Sequence, residues 1–482
     1  MVKTAKPLSR QPLPRLAACL LMAAVLVLTL LPPPGPSLLL IVVDTLRADR
    51  LGTYGYHLPT SPVLDRLAGE SLVFETAISP APFTMPAMAG LMTGLYPDRT
   101  GVINHSPQDR IHDSVATLAE LARRRGYRTS AVVSNPWLVR AQSGFGRGFD
   151  TFISKHSLGL GEGRFDAKQV TDQALALMGK PSKSPFFLWV HYLDTHMPYQ
   201  PPPQFASLFG DGRTSSRVVE DFSLGRDHKQ AIYFGARGYR QSELQRTRDL
   251  YDASVRFVDT QIGRLLEALD TGSRKVLVVV TADHGESLGD HGLFFAHDFT
   301  LYEELLHVPL ILRHPTVGPQ RISTPVSLLD VFATLCLEMD LDCRHPLDGQ
   351  PLPGLRAGPA RPQRTLFATS APARARYSGY TGLSVAGPAG RWSMLRQGHT
   401  KVIRIPTPAG PTWQAYHLID DPGETHNLYL PSGYAAETGA VEDWIEAMSR
   451  ARPYPAGGKN VDPETLAELR SLGYLDISEP RQ

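Results

Sequence analysis

Asp44, Thr84, Asp283 and His284 carry the side chains that a metal-assisted group transfer needs. Asp44 ends the run SLLLIVVD (37–44), and Asp283 and His284 follow the apolar stretch in SRKVLVVVTADHGE (273–286). Carboxylate oxygens and imidazole nitrogens together bind divalent cations. Thr84 stands in SPAPFTMPAMAGLMTGLYP (79–97), with Pro80 and Pro82 before it and Pro86 after it. That setting predicts a helix beginning at Thr84. A helix start offers unpaired N–H groups and a positive dipole end, a natural seat for a tetrahedral anion. A hydroxyl touching a cation there becomes a nucleophile. The plainer readings are that each Asp caps a helix and that Thr84 does the same. Two separate strands ending in carboxylates weigh against the first of these.

The elements that must position these residues are legible as apolar runs. Residues 37–44 and 276–281 read as strands buried on both faces. SVATLAELARRRGYRTSAVVS (114–134) reads as a helix, a turn at Gly126 and a strand, and its Arg123–Arg125 run suits a helix C-terminus. SPFFLWVHYLDTH (184–196) is a further strand leading into polar residues. In 237–270, Tyr251, Val255, Val258, Ile262 and Leu265 recur at helical spacing, which predicts a long helix packed on the sheet. Strands alternating with helices imply an α/β fold: a large, mostly parallel sheet flanked by helices. Ligands of such sheets bind beyond the carboxyl ends of the strands. Composition shifts to Pro, Gly and Arg near 345–365. Antiparallel strands in RWSMLRQGHTKVIRI and TWQAYHLID and a closing helix over 463–475 then predict a small C-terminal α+β subdomain. The expected divisions are 1–36, 37–345 and 346–482.

The 482 residues carry a formal net charge of +2, which lacks the basic excess of a nucleic-acid footprint. Three cysteines exclude a disulfide scaffold; Cys336 and Cys343 either pair or stay as free thiols, and Cys19 lies in the N-terminal apolar stretch. Lys3, Lys6, Arg10 and Arg15 precede LAACLLMAAVLVLTLL, and PPPGP follows. This predicts an uncleaved signal anchor with the body of the chain outside the cytoplasm, periplasmic or at the cell surface; a cleaved signal peptide is the alternative.

In their order along the chain, VVDTLRADRLGTYGY, SPVLDRLAGESLVFETAIS, TMPAMAGLMTGLYPDRTGV, HYLDTHMPY, TADHGESLGDHG, LYEELLHVPLIL and DPGETHNL resemble the sulfatase family of the alkaline phosphatase superfamily. The resemblance covers roughly residues 37–430. It implies a large α/β domain with a small C-terminal antiparallel sheet. It implies one divalent cation, Ca2+ first, with Mn2+ and Zn2+ as alternatives, held by Asp44, Thr84, Asp283 and His284. Thr84 falls where sulfatases carry the Cys or Ser that becomes formylglycine, and His196 matches a histidine that contacts substrate or leaving group.

The departures from that family are specific. Thr84-Met85-Pro86-Ala87-Met88 replaces Cys-x-Pro-Ser-Arg, Thr45 follows Asp44 where a second Asp is common, Val133-Ser134-Asn135 replaces the Gly-Lys-Trp-His stretch, and His297-Asp298 stands where a lysine is expected. Threonine cannot become formylglycine, and a threonine ester has no collapse to an aldehyde. Water or another alcohol must accept the group, which suits phosphorus as well as sulfur. The expected protein is a metal-dependent hydrolase of a sulfate, phosphate or phosphonate ester with Thr84 as nucleophile, assisted by His196 and His297. The alternatives are a transferase moving a phosphorus headgroup onto envelope lipid or glycan, and an inactive anionic-glycan-binding homologue. The expected partners are an anionic ester and the membrane, with no nucleic acid. Among further candidates, His291 and His297 read as a second metal pair or a general acid. Asp194 reads as an orienter of His196 or a turn cap, sharing its strand end with His191. Arg47 and Asp49 read as a structural ion pair, and Asn135 as a substrate donor or turn residue before Pro136.

Overall fold

The computed structural model describes residues 35–451, except 106–108, 140–141, 161–163, 183, 236, 271–274, 344, 356–363 and 372–389. The N-terminal apolar stretch and the closing helix expected over 463–475 lie outside the described residues. Among those described, no helix is long and apolar enough to cross a membrane.

The apolar runs form strands because their side chains can be buried on both faces of one sheet. Ser37–Val43 is buried throughout and pairs in parallel with Val276–Thr281 on one side and Phe186–Tyr192 on the other. Among the described residues the sheet has eight strands, in the order Gln320–Ile322, Leu72–Phe74, Leu310–Arg313, Val276–Thr281, Ser37–Val43, Phe186–Tyr192, Arg128–Val133, Thr151–Ile153. The five from Val276–Thr281 onward run parallel, and Leu310–Arg313 runs against both its neighbours. Leu38 to Val43 are fully shielded, and burial of each such aliphatic side chain contributes about 1.5–3 kcal/mol. The long helix expected over 237–270 spans Gln241–Asp270. Its buried stripe, from Tyr251 to Leu265, lies in the same core as the sheet strands, and the helix also packs against the Ala167–Met178 and Pro62–Ala68 helices. Cys336 and Cys343 form a disulfide, settling the pairing left open above.

A second, antiparallel sheet is built from Thr365–Thr369, Ser393–Gln397, Thr400–Ile405 and Thr412–His417. The helix Ala435–Ala451 closes it, with Trp444 stacked on Phe367 at 4.9 Å between ring centroids. Sequence periodicity did not single out this helix, because Val441 and Trp444 are its only buried side chains. An ion cluster ties the Glu303–Leu306 helix to the second sheet: Glu303 meets Arg396 at 2.5 Å and Lys401 at 3.0 Å, and Lys401 also meets Glu424 at 2.9 Å.

Candidate active site

Three parallel strand ends make the floor of the site. Val42 stands opposite Thr281 on one side and His191 on the other, so Asp44 and Asp283 emerge at matching positions two residues further on. Asp44, His191, Asp283 and His284 are all 0% exposed. Asp283 Oδ1 accepts the backbone N–H groups of Thr45 (3.2 Å) and His284 (2.9 Å). The other oxygen, Asp283 Oδ2, has no hydrogen-bond partner among the described residues, nor has Asp44 Oδ1. His284 Nε2 stands 3.6 Å from Asp283 Oδ2 and 3.9 Å from Asp44 Oδ1. Its Nδ1 lies 2.8 Å from the Gly285 carbonyl and must carry the proton to donate there, which leaves Nε2 bare. His191 Nε2 lies 3.9 Å from Asp44 Oδ2, and among the described residues neither nitrogen of His191 has a side-chain hydrogen-bond partner.

Buried polar atoms without partners are costly. Burial pushes the Asp44 carboxyl up to about 7 against the opposing hydrogen bond from Asn135. Burial and then the Asp44 charge push Asp283 well above the usual carboxylate range. Burial holds His191 down at about 3. Burial, with the nearby His297 charge, holds His284 well below its ordinary value. Neutral imidazoles beside carboxylates that resist ionising form a donor set suited to a divalent cation, which would supply the missing partner. Donor atoms of Asp44, His191 and Asp283 all lie within 4.8 Å of one another.

Thr84 reaches this floor from outside the sheet. It is the first residue of the helix Thr84–Thr93, completely buried, and its Oγ1 lies 3.3 Å from His284 Nε2. The cap position belongs to Phe83, which makes no side-chain cap bond, so the capping reading of Thr84 gives way. Fewer N–H groups are available at this helix start than its sequence suggests: Pro86 has no N–H, that of Met85 is donated to His105 Nε2 at 3.2 Å, and that of Ala87 goes to the Phe83 carbonyl. Asn135 takes the turn role weighed for it and also touches the floor. Its Nδ2 donates to Asp44 Oδ2 at 2.7 Å and lies 3.5 Å from Thr84 Oγ1, while its Oδ1 accepts the Trp137 N–H at 2.9 Å.

His196 and His297 form the rim. Their ring centroids are 5.0 Å apart, and His297 is 4.6 Å from the His284 ring. His297 Nδ1 donates to Glu286 Oε1 at 2.8 Å, and Glu286 Oε2 accepts from Tyr199 at 3.1 Å. Burial opposes a charge on His297, yet Asp298, Glu286 and Asp44 outweigh it and push the pKa up to about 9. His196 goes the other way: burial and the His297 charge hold it well below its ordinary value, with Nδ1 donating to the Met197 carbonyl at 2.6 Å. Asp194 does not orient His196; its Oδ1 accepts the Ala167 N–H at the start of the Ala167–Met178 helix. His291 is not part of the site either. It stacks on Tyr302 at 3.6 Å and bonds Glu304 Oε1 and the Glu424 carbonyl, tying the Glu303–Leu306 helix to the loop that follows the second sheet. Arg47 pairs with Asp49 as expected and also with Asp290, at 2.7 and 2.6 Å.

Sequence reasoning missed His191, Glu286 and His105 as site residues. His191 shares side-chain parity with Asp44 only once strand order is known. Glu286 lay in plain sight, two residues after His284. His105 carried no local signal, since its partner Met85 is 20 residues away.

A large, mostly parallel α/β sheet of this topology, flanked by helices and followed by a small antiparallel sheet, defines the alkaline phosphatase-like class of fold. The chain belongs to the sulfatase family, whose model matches residues 36–339. It is 29% identical over 338 residues to human iduronate 2-sulfatase, a match spanning 58% of this chain and 60% of that protein. It is 26% identical over 347 residues to the choline-sulfatase of Rhizobium meliloti, covering 62% and 67% respectively. The structure of a phosphonate monoester hydrolase of Agrobacterium radiobacter superposes with a TM-score of 0.66 at 21% identity, covering 86% of this chain and 96% of that one.

Proposed function

We propose that this chain is a metal-dependent ester hydrolase that uses Thr84 as its nucleophile on a sulfate, phosphate or phosphonate ester. The observation that carries the proposal is the position of the Thr84 hydroxyl, buried and 3.3 Å from His284 Nε2 at the edge of the Asp44–Asp283 pair. The sulfate-ester names of the relatives support sulfur, and threonine chemistry admits phosphorus. In this reading Asp44, Asp283 and His284 hold one divalent cation, Ca2+ by family likeness, with Thr84 beside it and His191 as an added donor. When bound, the cation supplies Lewis-acid chemistry, lowering the pKa of an oxygen and neutralising developing charge.

The histidines divide the proton work. The Thr84 hydroxyl gives its proton to His196, held neutral with Nε2 unprotonated, and its oxygen bonds to sulfur or phosphorus as the bond to the leaving oxygen breaks. His297, held cationic by Glu286 and Asp298, gives that leaving oxygen its proton. Water then attacks the threonine ester, its proton passing to the now neutral His297, and His196 returns its proton to the departing Thr84 oxygen. Two like groups whose environments push their pKa values apart fit an acid and a base. The catalytic unit is residues 37–345, with 346–482 as a C-terminal unit. The N-terminal charges and apolar run support a place outside the cytoplasm, anchored or secreted. Thr84→Ala should lower turnover of aryl esters by at least about 1,000-fold while metal content stays at the wild-type level. Turnover within tenfold of wild type would remove the nucleophile. Transfer to a second alcohol is the competing outcome, favoured by the missing aldehyde exit; radiolabel from a headgroup donor appearing on an added lipid acceptor would establish it.

A further inference from the structure

We propose that His105 is a positioning residue that sets the Thr84 oxygen against the metal floor; this rests on the nucleophile reading above. Met85 follows Thr84 directly, and its N–H is one of the orphan donors of a helix start. Here it donates to His105 Nε2 at 3.2 Å instead of to a cap or to water. The acceptor must therefore be an imidazole nitrogen with its lone pair turned at the helix, and the ring is 6% exposed. Two aromatic contacts fix the ring. It stacks on Trp137 at 5.1 Å between centroids with planes 6° apart, and meets Phe83 edge-on at 5.1 Å.

The stack closes a loop around the nucleophile. Trp137 donates its backbone N–H to Asn135 Oδ1, and the same Asn135 side chain reaches Asp44 Oδ2 and Thr84 Oγ1. Thr84 is thus held from two directions, by backbone through Met85 and His105, and by side chain through Asn135. Trp137 joins the two arms. The nucleophile turn lacks a side-chain cap on Phe83, and His105 supplies the missing acceptor from 20 residues away. A displacement of about 1 Å in such a turn costs about 100-fold in rate, because the attacking atom leaves its line of approach.

His105→Phe separates the parts of this role. It keeps an aromatic ring for the Trp137 stack and removes only the acceptor. The expected result is a fall in kcat of about 10- to 100-fold with KM within about threefold, and Met85 amide hydrogen exchange accelerated at least about tenfold. His105→Gln, which restores an acceptor, should recover part of both. Thr84→Ala in the same assay tests the parent reading by itself: equal turnover in Thr84→Ala and wild type sinks the nucleophile, whereas the Met85 exchange rate still decides the role of His105. Unchanged kcat and unchanged Met85 exchange in His105→Phe would overturn the proposal. So would a loss of kcat in His105→Phe and His105→Gln alike that tracks a lowered Tm.

Discussion

The floor and the rim of the site solve opposite electrostatic problems. At the floor, Asp44 Oδ1, Asp283 Oδ2 and both nitrogens of His191 are buried with no partner among the described residues. At the rim, His297, Glu286, Tyr199 and His196 satisfy one another and the backbone. The floor is unfinished as protein and needs something brought to it. The rim is finished, and its charge is set internally, by Glu286 and Asp298 on His297. The difference locates two dependences that are usually measured together. On the proposed function, dependence on metal belongs to the strand ends, and dependence on alkaline pH belongs to the loop that follows Asp283.

The largest effect that sharpens this comparison is on the floor. Asp283→Asn should weaken divalent-metal affinity by at least about 100-fold and lower turnover in step. Chelation should lower the Tm of wild type, because a cation at 100 times its Kd stabilises by about 2.7 kcal/mol. The variant should be indifferent to chelator, since the buried carboxylate that wanted the cation is gone. Metal affinity of wild type should also fall as pH drops below about 7, where the Asp44 carboxyl, raised by burial, takes up a proton that competes with metal. Calorimetric titration of metal at several pH values reads both. A wild-type Tm that ignores chelator would break the comparison at its floor.

The rim answers to a different change. Glu286→Gln keeps the hydrogen bond to His297 but removes one of the charges that raise its pKa. His297 should then lose its proton at lower pH, so the alkaline limb of kcat, expected near pH 9 in wild type, should move down. The rate at neutral pH should fall by no more than about tenfold, as acid catalysis weakens without loss of the nucleophile. Metal affinity should stay within about threefold, because no floor atom is altered. A pH–rate profile with unmoved limbs would show that His297 is not the group that titrates.

The two halves of the site differed in how legible they were. The floor could be read from Asp44 and Asp283 because a continuous buried strand announces its own end, and a polar residue there has few uses. The four central parallel strands of the main sheet, the Gln241–Asp270 helix and the strands Ser393–Gln397, Thr400–Ile405 and Thr412–His417 were legible for the same reason, apolar periodicity being local, whereas short strands such as Leu72–Phe74 and Thr151–Ile153 carry too few residues to show a period. His191 sits inside such a strand and was hidden because its relation to Asp44 depends on which strands are neighbours. His105 and Glu286 act through contacts that only the folded chain makes. The anion seat at the Thr84 helix is narrower than its sequence suggests, because sequence shows where N–H groups are freed, but not which distant imidazole takes one of them.

The smallest effect tests whether the comparison stops at the site. His291 follows the DHGE segment by only a few residues and resembles the rim histidines in type, yet its partners are structural. It carries a positive φ of 49° and bridges Glu304 of the Glu303–Leu306 helix and the Glu424 carbonyl of the loop after the second sheet. Burial opposes its charge, but Glu304 and Glu424 raise its pKa above the ordinary value. A raised folded pKa means stabilisation that is full below the unfolded value and lost as pH rises through the folded one. His291→Leu should therefore cost about 1–3 kcal/mol at low pH, where buried Glu304 is left without its partner, and less as the pH rises. kcat at a temperature well below Tm should stay within about twofold, since no atom of the floor or rim has moved. Calorimetry on both sides of neutrality gives the first quantity and an aryl ester assay the second. A large loss of kcat with unchanged Tm would make His291 a third rim histidine and erase the boundary drawn here.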